Sequence, residues 1–342
     1  MIRRIGKRTL QFAERPFLLS HAAAVGKKEG DGPLGAQFDF VTEDDRMGQK
    51  SWELAESELQ KTAIDLAVKK AGLQKSDLDV ILAGDLLNQC IGSFLASVGS
   101  DVPYLGQYGA CSTMAQGLAL GGCLVEGGAA RRLLAAASSH FCSAERQYRF
   151  PLAYGGQRTP TAQWTATAAG AAVLSAADPQ GGSSGIRVTH ALFGRMVELG
   201  VKDANNMGAA MAPAAYDTLS TLLSDLGAQP ADFDCIVTGD LGHVGADILL
   251  TLLREDKIDL SPVYSDCGSL LFGDEQDAHA GGSGCGCSAA VLCGPLLRDM
   301  EGGRLRRLVF AGTGAMMSPT SVQQGQPIAG ICHAVVIERS GA

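Results

Sequence analysis

Two stretches of this chain repeat each other in register. Residues 76–86 (SDLDVILAGDL) and 231–241 (ADFDCIVTGDL) share paired aspartates, an aliphatic run and a closing Gly-Asp-Leu, 155 residues apart. Each follows a helical stretch ending Ala71-Gly72-Leu73 or Leu226-Gly227-Ala228. A second echo pairs 126–133 (EGGAARRL) with 301–308 (EGGRLRRL) at an offset of 175, so the second copy carries about twenty more residues between its echoes. Matching blocks in the same order indicate an internal duplication. Such a chain folds as two copies of one helix–strand–helix–strand unit.

The coarse pattern agrees. Ser51 is placed to cap a helix running to about Ala71, with Leu54, Leu59, Ile64, Ala67 and Val68 along it. The short apolar runs 80–83, 133–137, 236–238 and 308–311 read as buried parallel strands. Alternating strands and helices imply an α/β fold with helices covering sheets. Two copies packed through a shared helical layer would give a five-layer α-β-α-β-α sandwich. The expected halves are 1–180 and 181–342, joined in the polar, Gly-rich stretch 178–185.

The first half carries its chemistry at Tyr108-Gly109-Ala110-Cys111-Ser112-Thr113-Met114. The stretch 102–105 reads as a strand, and small residues follow over 115–122 (AQGLALGG). Cys111 would then sit on a sharp strand-to-helix turn, where the positive end of a helix favours a thiolate. The alternative is a small buried hydrophobe, the common fate of a lone cysteine.

Composition excludes several classes. Ten cysteines are scattered over 342 residues with no CxxC, and Cys285-Gly286-Cys287 is the one close pair. That spacing argues against a zinc site and for reduced thiols in a cytosol-like compartment. The basic start of the chain lacks the apolar run of a signal peptide, because Gln11, Glu14 and Arg15 interrupt it. No run reaches membrane-span length, so a soluble chain is expected, with peripheral attachment left open. A net charge of −8 argues against nucleic acid, and any anionic ligand would need a local basic cluster.

A duplicated α/β half with a cysteine opening its central helix resembles the thiolase superfamily of thiolases and ketoacyl-carrier-protein synthases. Longer stretches narrow the resemblance. Residues 138–152 (SSHFCSAERQYRFPL), 157–165 (QRTPTAQWT), 281–289 (GGSGCGCSA) and 327–334 (PIAGICHA) are similar to the stage V sporulation protein AD family of spore-forming bacteria. That resemblance implies binding of dipicolinic acid, a pyridine dicarboxylate. It also implies a part in its uptake into the developing spore and its release at germination. Membrane-embedded partners of a spore channel complex, a location on the spore inner membrane and a homodimer are implied too. Whether calcium accompanies the ligand is left open, and no cofactor or metal site is expected.

The condensing enzymes of the superfamily need proton-handling groups beside the cysteine. Where the synthases carry a histidine, this chain aligns Asp240, with His243 three residues on. No asparagine stands near Cys285-Gly286-Cys287-Ser288, and His279 lacks the Gly-His-Pro context of the thiolases. Cys332-His333-Ala334 replaces their late Cys-x-Gly. The expectation is a non-catalytic binding protein on a condensing-enzyme fold. The alternatives are an acyl-transferring or condensing enzyme using Cys111 as nucleophile, and a structural scaffold with a vestigial pocket.

A flat dianion calls for arginine, whose fork matches a carboxylate and whose plane stacks on rings. Arg146, Arg149 and Arg158 lie in the one interior segment that mixes arginines with aromatics. His140 follows a strand end, and His243 sits in the equivalent loop of the second half. With Cys111 and the backbone of Gly284, whose glycine-rich turn mirrors the Cys111 turn, these form the candidate binding set. Asp266, Asp274, Glu275 and Asp277 read as a solvated acidic loop.

Overall fold

A computed structural model describes residues 1–13, 16–148, 157–177 and 185–340. Arg149 and most of the expected junction lie outside these residues.

The first half runs β1 (Phe17–Val25), α1 (Trp52–Lys70), β2 (Val80–Gly84), α2 (Ile91–Ser97), β3 (Tyr104–Gly106), α3 (Thr113–Glu126), β4 (Arg132–Ser139), α4 (Phe141–Tyr148) and β5 (Ala168–Ser175). The second runs β6 (Ile186–Leu192), α5 (Met207–Leu226), β7 (Cys235–Thr238), α6 (Gly242–Glu255), β8 (Tyr264–Asp266), α7 (Cys285–Val291), β9 (Arg307–Met316), α8 (Pro319–Gln323) and β10 (Ala329–Arg339).

The five main strands of each half pair in the same order. The first sheet is β1-β5-β4-β2-β3 and the second β6-β10-β9-β7-β8. In both, the two pairs nearest the first strand are antiparallel and the two outer pairs parallel. One antiparallel pairing, Arg187 with Phe17, joins the sheets at their first strands.

Layering follows from which face each strand residue presents. Successive side chains of a strand point to opposite faces, so a strand buried on both sides reads as continuous apolar sequence. Leu133 and Leu174 join Leu118, Phe310 and Val335 in a core between the sheets. Their neighbours Leu134 and Val173 face the other way, onto Leu59 and Ile64 of α1. Val309 and Val336 do the same toward Leu219 and Leu222 of α5. The order is helix, sheet, helix, sheet, helix, with α3 touching strands of both sheets in the middle layer. Small residues permit that approach. A Cβ on Gly170 of β5 would fall 2.3 Å from the carbonyl oxygen of Ala289 in α7, and one on Gly312 of β9 would fall 2.7 Å from Cβ of Ala115 in α3.

The polar echoes in the sequence bind one another. The Asp79 carboxylate accepts from the backbone N–H of Arg131 (2.6 Å) and Arg132 (2.9 Å), which joins β2 to β4. Asp234 does the same for Arg306 (2.7 Å) and Arg307 (2.8 Å) between β7 and β9. Ser51 caps α1 as expected, its Oγ accepting from Leu54 N–H at 3.3 Å.

One expectation needs correction. The repeated unit is larger than helix–strand–helix–strand, because β1, β5, β6 and β10 add antiparallel strands. Alanine-rich stretches such as AAGAAVLS in β5 carry little strand signal on their own.

Candidate functional site

Cys111 occupies the turn that opens α3, and Ala110 before it has a φ of +47°, rare for a residue with a side chain. Local hydrogen bonds hold that conformation. Ser112 Oγ donates to the Gly109 carbonyl (2.6 Å) and Thr113 Oγ1 to the Ala110 carbonyl (2.7 Å). The thiol is 5% exposed.

Its principal partner comes from the other half. Asp240 follows β7 and is fully buried. Its carboxylate accepts from Thr313 Oγ1 (2.8 Å), the Gly284 N–H (2.9 Å) and Ser283 Oγ (3.2 Å), and its charge acts on Cys111. Burial, and then the Asp240 charge, push the Cys111 thiol well above its usual value, with Gly284 N–H and Ser283 opposing. Burial likewise raises the Asp240 carboxyl to about 6. The expected thiolate is therefore corrected. The helix terminus is outweighed by desolvation and by the charge of a nearby carboxylate, which favour the neutral Cys111 thiol.

Gly284 adjoins Asp240. Its φ of +104° and a prospective Cβ 2.6 Å from Ser139 Oγ exclude other residues, and its N–H points at Asp240. Behind it, Cys285 donates to the Ser138 carbonyl at 2.9 Å.

The duplication places a matching acid in the first half. Asp85, the sequence counterpart of Asp240, is fully buried and accepts from Leu87 N–H (2.8 Å) and Ser93 N–H (2.7 Å). Glu56 of α1 is also fully buried, accepts from Ser143 Oγ (2.6 Å) and Ser138 Oγ (3.2 Å), and is raised by burial and then by Asp85. Sequence reasoning missed both. Asp85 was visible as the repeat of Asp240, whereas Glu56 looks like any helix-surface acid.

Several candidates lie elsewhere. His140 is buried with both nitrogens engaged: Nε2–H donates to the Asp45 carbonyl (2.8 Å) and Nδ1 accepts from Cys142 N–H (3.1 Å). Its ring bridges the loop at Asp45 and the start of α4. His243 lies at the start of α6 and is exposed. Arg146 is exposed and pairs with Glu53 of α1. Arg158 Nη2 donates to the Asp277 carbonyl at 2.6 Å, with its guanidinium 4.5 Å from the Trp164 ring centroid. Asp266 is no solvated acid. It is 2% exposed and accepts from Thr238 Oγ1 (2.7 Å), Leu241 N–H and Gly242 N–H (both 2.9 Å) and Ser269 N–H (3.0 Å).

A pocket of about 430 Å³ opens between the turn 87–90 that leads into α2, Tyr148 of α4 and the end of β9. Tyr108, Tyr148, Met316 and Met317 line it with Gln89 and Cys90, whose φ values of +56° and +52° mark a strained wall. The two tyrosine hydroxyls lie 3.1 Å apart, and both rings are within electrostatic reach of Cys111. Among the described residues the lining holds no lysine, arginine or histidine. Among the described residues, too, no helix is long and apolar enough to cross a membrane.

Comparison with known proteins completes the picture. Residues 6–338 match the sequence profile of the Stage V sporulation protein AD family. The Stage V sporulation protein AD of Bacillus subtilis (strain 168) is 43% identical over 336 residues, covering 98% of each chain. Among solved structures, 3-oxoacyl-[acyl-carrier-protein] synthase III from Aquifex aeolicus VF5 superposes with a TM-score of 0.55 at 13% identity, over 94% of this chain and 99% of that one. OleA from Xanthomonas campestris gives 0.58 at 15% identity, over 96% and 97%. These structural likenesses establish a thiolase-like condensing-enzyme fold.

Proposed function

We propose, from the premise that the chain belongs to the stage V sporulation protein AD family, that it binds dipicolinic acid without condensing anything. In this reading it takes part in moving the ligand into the developing spore and releasing it at germination.

The observation that carries the non-catalytic half of this reading is the Cys111–Asp240 pair. A condensing enzyme needs an attacking thiolate and donors for the oxyanion that follows. Here burial, and then the Asp240 charge, favour the protonated thiol, and that carboxylate would repel a developing oxyanion. The Gly284 N–H, the group best suited to an oxyanion, is spent on Asp240.

The proposed partners follow from surface chemistry. Leu105 of edge strand β3 is 49% exposed, and Val98 and Phe94 beside it are exposed as well. An unpaired edge with apolar flanks suits a second copy of the chain. Contact with membrane-embedded proteins of a spore channel complex would be peripheral.

Two measurements test the reading. Equilibrium dialysis should give one dipicolinate per chain with micromolar-class affinity, about −7 to −8 kcal/mol. Intact mass after incubation with an acyl-CoA should show no adduct. An acyl group on Cys111 with turnover would replace this reading by the condensing-enzyme alternative, which the strained turn at Ala110 favours.

A further inference from the structure

Two buried acids outside the Cys111 group stand behind one wall of the pocket. That wall is the turn Leu87-Asn88-Gln89-Cys90, all four of whose residues line the cavity. Gln89 and Cys90 both have positive φ, a conformation that persists only where the surroundings over-determine it. Asp85 does so from inside the fold. Its Oδ1 accepts from Leu87 N–H at 2.8 Å and its Oδ2 from Ser93 N–H at 2.7 Å, so one carboxylate brackets the turn on both sides.

Glu56 of α1 backs Asp85, and both are fully buried. A Cβ on Gly92 would fall 3.3 Å from Asp85 Oδ2 and 3.3 Å from the Glu56 carboxyl carbon, so the two acids flank a single glycine. Gln60, also fully buried, donates to Ser93 Oγ (3.0 Å) and to Ser138 Oγ (3.1 Å), and Ser138 donates onward to Glu56 (3.2 Å). Two carboxyl groups this close in so dry a setting do not both ionise.

Their partners decide which one holds the charge. Backbone N–H groups only donate, so Leu87 and Ser93 favour an ionised Asp85. The partners of Glu56 are the hydroxyls of Ser143 and Ser138, which can turn and accept from a protonated acid. Burial raises both acids, and the Asp85 charge raises Glu56 further. Cys90, Tyr104 and Cys285 also feel the Asp85 charge, and burial first of all raises each of them, which favours their neutral forms. Glu53, the other acid acting on Glu56, is paired with Arg146.

We propose that Glu56 carries a proton while Asp85 stays ionised, and that this singly charged pair positions the pocket wall. Asp85 is then a positioning residue, acting on the cavity through turn 87–90. Loss of the Glu56 proton sets two anions against each other, and the bracket on the turn gives way. The pair does this whatever the pocket binds.

Hydrogen exchange on the full chain, read as amide protection factors, tests it. In wild type, Leu87 and Ser93 should lose at least tenfold protection between pH 6 and pH 9, while Ile81 and Leu82 of β2 stay protected. Glu56→Gln, neutral at every pH, should keep Leu87 and Ser93 protected throughout. Asp85→Asn should lose that protection already at pH 6. Cys90→Ser should follow wild type, which separates ionisation of the thiol from that of the acids. Iodoacetamide gives a second readout, since Cys90 is 7% exposed on the wall and should react at least tenfold faster in Asp85→Asn than in Glu56→Gln. Wild-type protection that does not change with pH would overturn the proposal, as would a Glu56→Gln wall as loose as that of Asp85→Asn. If Asp85→Asn does not fold, the pH profiles of wild type and Glu56→Gln decide alone.

Discussion

At the scale of single residues, burial raises both Cys111 and Asp240, and the Asp240 charge raises the thiol further, which gives two expectations. Asp240 has its carboxyl raised to about 6 from an ordinary 3.8. A raised acid stabilises the fold fully below its unfolded value, and the contribution is lost as pH rises through the folded one. Asp240→Asn stays neutral throughout, so its stability relative to wild type should improve by roughly 1–2 kcal/mol between pH 5 and pH 8. Chemical denaturation at the two pH values measures this, and a difference that does not change with pH contradicts it. Alkylation reports the thiol. Iodoacetamide should modify the half-buried Cys123 and Cys142 before Cys111, and Asp240→Asn should speed reaction at Cys111 by removing the facing charge. Preferential labelling of Cys111 in the wild type would restore the thiolate.

The residue scale is also where sequence reading ran out. Asp240 was legible because the repeat fixed its place after a strand. His140 was not, since what satisfies its Nε2 is a carbonyl from Asp45, 95 residues earlier. The arginines were chosen for their chemistry, but Arg146 is taken by Glu53, a partner visible only once α1 and α4 pack together.

At the scale of elements, the duplicated connections make a like-for-like comparison possible. Asp79 and Asp234 each clamp two backbone N–H groups at the start of a neighbouring strand. Alanine at either position should cost about 1 kcal/mol, the lower end for charge-assisted bonds because both sites are near solvent. Similar losses in the two halves, read by denaturant melts, are expected, and a loss confined to one half would contradict their equivalence. Gly284→Ala is harsher, because it forces a positive φ and a contact with Ser139. It should destabilise by about 2–4 kcal/mol. The parallel strands were readable as apolar runs, and Ser51 announced its helix. The four antiparallel strands were not, because β5 keeps alanines where it passes close to α7 and loses the branched side chains that mark strands.

At the scale of the whole molecule, one scaffold carries two repeats whose acids and helix-opening turns meet in the middle layer. Cys111 of the first half faces Asp240 of the second, so neither half holds the site alone. The same duplication leaves β3 as a free edge with Leu105 exposed, and sedimentation should find a dimer that Leu105→Asp weakens. A monomer at all concentrations would remove that partner. The thiolase-like architecture was legible from the repeat and the Cys111 turn, whereas the pocket walls, built from the turn 87–90, Tyr148 of α4 and Met316–Met317, come together only in the fold.

The most direct test titrates the purified chain with dipicolinate in a calorimeter. A saturable 1:1 heat at micromolar concentration, with the protein mass unchanged after an acyl-CoA challenge, is the predicted result. No saturable heat, together with an acyl group carried on Cys111, would contradict the account.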